Sequence, residues 1–156
     1  MMGRGCIYGL GHGGMDPLHI TPWDRDMKLD CTGFVMWALG RSRAVWYDTS
    51  RIADEARSGH ASPALFASIA WGDAQPGDLL VYGDRRGTDG VIRQGHVGLV
   101  TEIAPPDAPA GPVLVIHCSA GNWKQFGDAI HESGPGIWQS KEHMVVARFL
   151  AFDPIV

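Results

Sequence analysis

A chain of 156 residues, 45% hydrophobic and 19% charged, has the balance of a soluble globular domain with its own core. A net charge of −4 and a pI near 5.9 argue against a general nucleic-acid binder, and no apolar run reaches the ~20 residues of a membrane span. Three cysteines, Cys6, Cys31 and Cys118, are odd in number and form no C-x-x-C pair, so at least one thiol stays free and a disulfide framework is not expected.

Residues 1–30 read as loop, punctuated by Gly, His and Pro. The opening MMGRGCIYGLGHGG lacks an apolar core and does not read as a signal peptide, so synthesis in the cytoplasm is expected. Residues 31–40 predict a helix with Asp30 as N-cap and Gly40 as stop. Cys31, Phe34, Val35, Ala38 and Leu39 form its apolar stripe. Residues 49–58 predict a second helix with a Thr or Ser cap, and 63–70 a weaker third. The character changes at Pro76. Strands are expected at 79–82, 97–103 and 113–117, with a turn at Asp89-Gly90 and a stiff loop over 104–112. Arg85, Arg86 and Arg93, the only local basic cluster, read as a solvated hairpin. A glycine-rich loop excursion over 121–136 precedes a last strand at 143–152. Helices followed by strands describe one α+β domain spanning 1–156, with a mostly antiparallel sheet.

Cys31 has two readings. Free cysteine packs as a small hydrophobe, and Cys31 lies on the apolar stripe. A helix N-terminus is also where a thiol is acidified by unpaired N–H groups, and an activated Cys31 would outpace Cys6 and Cys118 toward iodoacetamide at mildly acidic pH. His96 opens one strand and His117 closes the next. Opposed residues of an antiparallel pair share a face, so a register setting 96 against 117 would place both imidazoles side by side. Gly98, lacking a side chain on that face, would let the helix approach and bring Cys31 to His96. Nucleophile, base and orienter would then be Cys31, His96 and His117. Asp30 reads as a helix cap or a contact for a substrate amine, and Ser119 as a turn residue or a cleft residue. Cys118 should point away from His117 into packing. The other histidines, among them His12, His19, His131 and His143, show no metal-ligand spacing, and no metal or cofactor is expected. Of six tryptophans, Trp37 and Trp71 read as packing, while Trp23, Trp123 and Trp138 cover loops or line a cleft.

These motifs resemble the NlpC/P60 cysteine peptidases of the papain-like superfamily. Tyr8 with Gly13-Gly14 resembles the family's Tyr and Gly-Gly segment. Asp30-Cys31-Thr32-Gly33-Phe34 is similar to its nucleophile motif, and Gln75-Pro76-Gly77-Asp78-Leu79 to the turn before its first strand. Gly95-His96-Val97-Gly98 resembles the histidine strand, and Ile116-His117-Cys118-Ser119 the run carrying the third residue. Residues 15–28 make a longer connection than that family usually has, which implies a reshaped cleft.

The resemblance implies a papain-like fold and a thiol endopeptidase cutting peptidoglycan stem peptides, at the amide between D-glutamate and the diamino acid. Cys31 would be nucleophile, His96 base and His117 orienter, with the Tyr8 hydroxyl and the Cys31 N–H holding the oxyanion. Ser119, Asp30 and Arg93 are further candidates for substrate contact. An N-acetylmuramoyl-L-alanine amidase, an acyltransferase with the same triad, or a catalytically silent cell-wall binding module are the alternatives. Neither nucleic acid nor membrane is expected as partner. The place of action would be the periplasm or cell wall, reached through a phage, a secretion apparatus or lysis, with any delivery machinery or immunity protein unspecified.

Overall fold

Residues 5–14, 20–42, 47–59 and 64–150 are described by a computed structural model, and all structural statements concern them. His19, Pro63 and the end of the expected last strand, 151–152, lie outside.

Apolar residues occupy alternate and adjacent positions of the central strands because the sheet is covered on both faces. Six strands run in the order β3 (Phe66–Ile69), β10 (Val145–Phe149), β4 (Leu79–Tyr82), β7 (His96–Ile103), β8 (Pro112–Cys118) and β9 (Ile130–Ser133). Every neighbouring pair is antiparallel. On one face Leu79, Val81, Val97, Leu99, Ile116 and Cys118 form the main core with α1 (Cys31–Ala38) and α2 (Thr49–Ser58). On the other, Leu80, Val100, Val115 and Val146 close over Trp138 of α4 (Gly136–Gln139). Outside this sheet, β1 (Ile7–Tyr8) pairs in parallel with β2 (Lys28–Leu29), whereas β5 (Arg85–Arg86) pairs antiparallel with β6 (Ile92–Arg93) across the expected Asp89-Gly90 turn. An α+β fold with helices packed on an antiparallel sheet and Cys31 at a helix start is the architecture observed.

Helix α1 begins where an acidic cap meets a run of small residues. Asp30 Oδ1 accepts hydrogen bonds from the Gly33 N–H at 2.7 Å and the Thr32 hydroxyl at 3.1 Å, and Oδ2 accepts from the Gly11 N–H at 2.7 Å. The helix ends in a Schellman pattern, with Gly40 at φ 66° and the Arg41 N–H returning to the Met36 carbonyl at 2.8 Å. Residues 31–36 are all buried, whereas Ala38 is exposed, so the expected single stripe is replaced by a helix start enclosed on every side. Gly14 accounts for part of that enclosure. A Cβ there would lie 2.4 Å from the Gly33 carbonyl oxygen, so the two backbones can touch because residue 14 is glycine.

Three local expectations are corrected. Residues 66–69, expected as helix, form β3, because pairing with β10 and the Glu55 carboxylate that accepts the Leu65 and Phe66 N–H groups outweigh a weak helical preference. Helix α2 is capped by Asp48, whose carboxylate accepts the Arg51 N–H at 2.7 Å, and not by Thr or Ser. The stretch 121–136 is not one loop. It contributes α3 (Ala120–Phe126), capped by Ser119 and stopped by Gly127 at φ 70°, then β9 and the start of α4. Gly127 ends α3, Gly121 lies within it and Gly136 begins α4.

Candidate active site

Cys31 sits at the first turn of α1, 6% exposed, at the bottom of a cleft of about 420 Å³. Tyr8, Gly11, Asp48, Asp84 and Gln94 line the same cleft. Three acidic residues, Asp30, Asp48 and Asp84, line the cleft with Cys31, and among the described residues no lysine or arginine does. Each has a structural duty: Asp30 and Asp48 cap helices, and Asp84 accepts the Gly95 N–H at 2.7 Å.

Gln94 and Gly95 of the cleft wall lead directly into His96. The register differs from the one expected. Leu99 pairs with Ile116, and one further step sets Gly98, not His96, across from His117. The offset is two residues, which preserves the face and makes the imidazoles diagonal neighbours within reach of each other. Their rings meet edge-on at 4.9 Å between centroids, and His96 Nε2 lies 2.8 Å from His117 Nδ1. His117 Nε2 in turn lies 3.0 Å from the Ser133 hydroxyl on β9.

Gly98 serves a different purpose from the one expected. Alternation points residue 98 away from α1, which packs on the face of Val97 and Leu99. A Cβ at Gly98 would lie 2.7 Å from Val115 Cγ1, 2.9 Å from Trp138 and 3.0 Å from His117 Cβ. The missing side chain makes room for an indole beneath the two histidines. Trp138, fully buried, stacks on His96 at 5.4 Å and 19°, and meets His117 edge-on at 5.2 Å. Among the described residues its Nε1–H has no hydrogen-bond partner. Tyr82, the Cα partner of His96 on β4, tilts against the imidazole from the other side at 6.4 Å.

Burial decides the protonation of the resting site. It pushes the Cys31 thiol up to about 12, the adjacent Asp30 carboxylate adds to this, and the N–H groups of Val97, Thr32 and Cys31 itself act against it. The helix terminus therefore loses to desolvation, contrary to the expectation of an acidic thiol. Burial, with His117 beside it, holds His96 down to about 3, and burial with His131 holds His117 down to about 4. Thiol and imidazoles are all neutral near pH 7. Cys6 is also raised, to about 11, by burial and its bond to Asp128, and Cys118 is raised by burial. Cys118 points into the main core, away from His117, as expected.

The remaining sequence candidates separate. Tyr8 shares the cleft with Cys31. Asp30 is buried and spent on the helix cap. Ser119 caps α3, accepting the Asn122 N–H at 3.0 Å. Arg93 lies on the exposed hairpin, bonded to Asp89 at 2.8 and 3.1 Å, and lines a second cavity beyond Gln94. Asp78 of the PGDL turn is structural: it accepts the Gln75 N–H and takes two bonds from Arg148 at 2.8 and 2.9 Å. Trp23 packs on the main core, and Trp123 is 41% exposed. Among the described residues no three His, Cys, Asp or Glu side chains converge as metal ligands. Ser133 and Tyr82 were not legible as site residues, and Trp138 was read only as covering a loop or lining a cleft. No local signal marks Ser133.

Residues 21–122 match the family model described as CHAP domain, a span that includes Cys31, His96 and His117. No curated protein matches the chain.

Proposed function

Because the chain belongs to the CHAP domain family, of the NlpC/P60-like cysteine peptidase and amidase type, and is a hydrolase acting on peptidoglycan, we propose that it is a thiol endopeptidase cutting stem peptides with Cys31 as nucleophile. One observation carries the reading: the 2.8 Å contact of His96 Nε2 with His117 Nδ1, where His96 follows directly on Gln94 and Gly95 of the cleft that Cys31 lines.

The hydrogen-bond chain assigns the tautomers. The Ser133 hydroxyl donates to the Gly134 carbonyl, so it accepts from His117 Nε2–H. His117 Nδ1 is then the acceptor for His96 Nε2–H. That leaves the lone pair of His96 on Nδ1, the nitrogen that takes the Cys31 proton on this reading. As substrate enters, the proton moves from Sγ to Nδ1 and the sulfur attacks the amide carbonyl. The oxyanion is held by the Cys31 N–H at the helix start and by the Tyr8 hydroxyl. The C–N bond breaks as His96 returns the proton to the leaving amine. His96 then deprotonates a water that attacks the thioester, restoring the thiol.

Three carboxylates lining the cleft favour a substrate segment bearing ammonium, as a stem peptide with a diamino acid does. The substrate lies in the cell wall on this reading, and the peptides are the partners.

Purified sacculi digested with the protein should yield stems cut between D-glutamate and the diamino acid, with a new free amine on the latter and intact glycan. Cys31→Ala should release nothing while its melting temperature stays within a few degrees of wild type. Whole stems released from muramic acid would move the assignment to the amidase. Full activity in Cys31→Ala would overturn the mechanism.

A further inference from the structure

A second cavity, of about 350 Å³, adjoins the cleft, and Gln94 lines both. Its charge is opposite. Where the cleft shows three carboxylates and no cation, this cavity is lined by Arg85, Arg93 and Lys141, with His143 at one wall and Glu142 as its only acid. Arg93 is engaged by Asp89. Arg85 and Lys141 have no carboxylate partner among the described residues, and Lys141 Nζ instead stands 5.5 Å over the Tyr82 ring. His143 Nε2 faces the Gly83 carbonyl at 3.4 Å, and among the described residues its buried Nδ1 has no hydrogen-bond partner. Tyr82 links the cavity to the catalytic histidines, since it meets the His143 ring at 5.7 Å and is the Cα partner of His96.

We infer that this cavity is a carboxylate subsite, in which Arg85 and Lys141 hold a free carboxylate of the substrate peptide while its amide lies over Cys31. The inference rests on the proposed peptidase reading and deepens it. A peptide carboxylate is repelled by the carboxylates of the cleft and drawn one residue further along, past Gln94. Guanidinium and ammonium donors match an acceptor-only group. The two lobes together impose one direction on a peptide carrying both charges. A chain of net charge −4 has no long-range attraction for an acidic ligand, so a local cationic lobe is where selection for a carboxylate can reside.

The test uses synthetic stem tetrapeptides in which each carboxylate in turn is replaced by a carboxamide, with KM measured for the wild type and for Arg85→Gln/Lys141→Gln. Wild type should discriminate against one of these amidations by about tenfold or more in KM. In the double variant the ratio for that same peptide pair should fall to near one. Both side chains sit at the surface of a solvated hairpin or turn, so the fold should persist. An unchanged ratio in the double variant, or a wild type indifferent to every amidation, overturns the subsite. Cleavage of sacculi by the wild type separates the two failures: sacculi cut with an unmoved ratio sink the subsite alone, whereas uncut sacculi sink the peptidase reading and the subsite with it.

Discussion

At His117 one imidazole carries two hydrogen bonds, one from each direction, and the direction of the outer bond sets that of the inner. An orienter needs only an acceptor for His96 Nε2–H. Asparagine supplies a carbonyl oxygen and alanine none, so His117→Asn should keep more kcat/KM than His117→Ala, while His96→Asn should be as damaging as losing the thiol. Equal rates for the two His117 variants would remove this residue from the mechanism. The same histidines make stability depend on pH. An unfolded histidine takes up a proton below about pH 6.5, whereas His96 and His117 stay neutral in the fold down to about 3 and 4. The unfolded state binds more protons in that window, so their contribution is complete above pH 6.5 and is lost as pH falls toward 4. Melting temperatures from pH 7 to 4 should fall steeply for wild type and less so for a His96→Asn/His117→Asn variant. Cys31, raised by burial, should react slowly with iodoacetamide at neutral pH and faster as pH rises. A fast rate independent of pH between 5 and 8 would reveal a resting thiolate–imidazolium pair instead.

Among elements, β7 is the one whose two faces do different work. Val97 and Leu99 anchor α1, and with it Cys31, while His96 and Gly98 face α4. Gly98→Ala tests whether α4 matters to the chemistry. The added methyl meets Val115, Trp138 and His117 within 3.0 Å, none of them a loose surface side chain. The expected cost is about 1–3 kcal/mol, by differential scanning calorimetry, from overpacking. The indole and the His117 ring must shift, so kcat should fall well beyond the loss of folded protein. Activity that merely follows the folded fraction would make Trp138 plain packing. Trp138→Phe should restore part of the plate that Trp138→Leu removes.

Across the whole molecule, the Asp78–Arg148 pair ties the turn before β4 to the last strand, 70 positions away. Asp78 is 4% exposed and also holds the Gln75 N–H. Asp78→Asn keeps the shape but leaves Arg148 without its counter-charge, so the melting temperature should drop. Specific activity per folded molecule should stay near wild type, because the pair is remote from the cleft lining. A selective loss of kcat without a drop in melting temperature would contradict this structural role for the PGDL turn.

The α+β class, α1 with its Asp30 cap, α2, and strands β4, β7 and β8 were legible in the sequence, because their signals are local: cap chemistry, period, and turn residues at fixed offsets. Cys31, His96 and His117 were legible as candidates for the same reason, each standing at an element boundary inside a motif. Strand β3 was not, since four residues without strong periodicity take their state from the β10 edge they pair with. Nor were α3, β9 and α4, where glycines that read as loop stand inside or at the ends of short helices. The register of β7 against β8 was beyond the sequence as well, because a nine-residue connection does not determine which residues oppose. Only the tertiary structure decided that Gly98 shelters Trp138, that Ser133 receives His117, and that the helix-start thiol is raised rather than lowered. Each depends on what surrounds a side chain in space: desolvation and close packing are sums over neighbours brought together from distant parts of the chain.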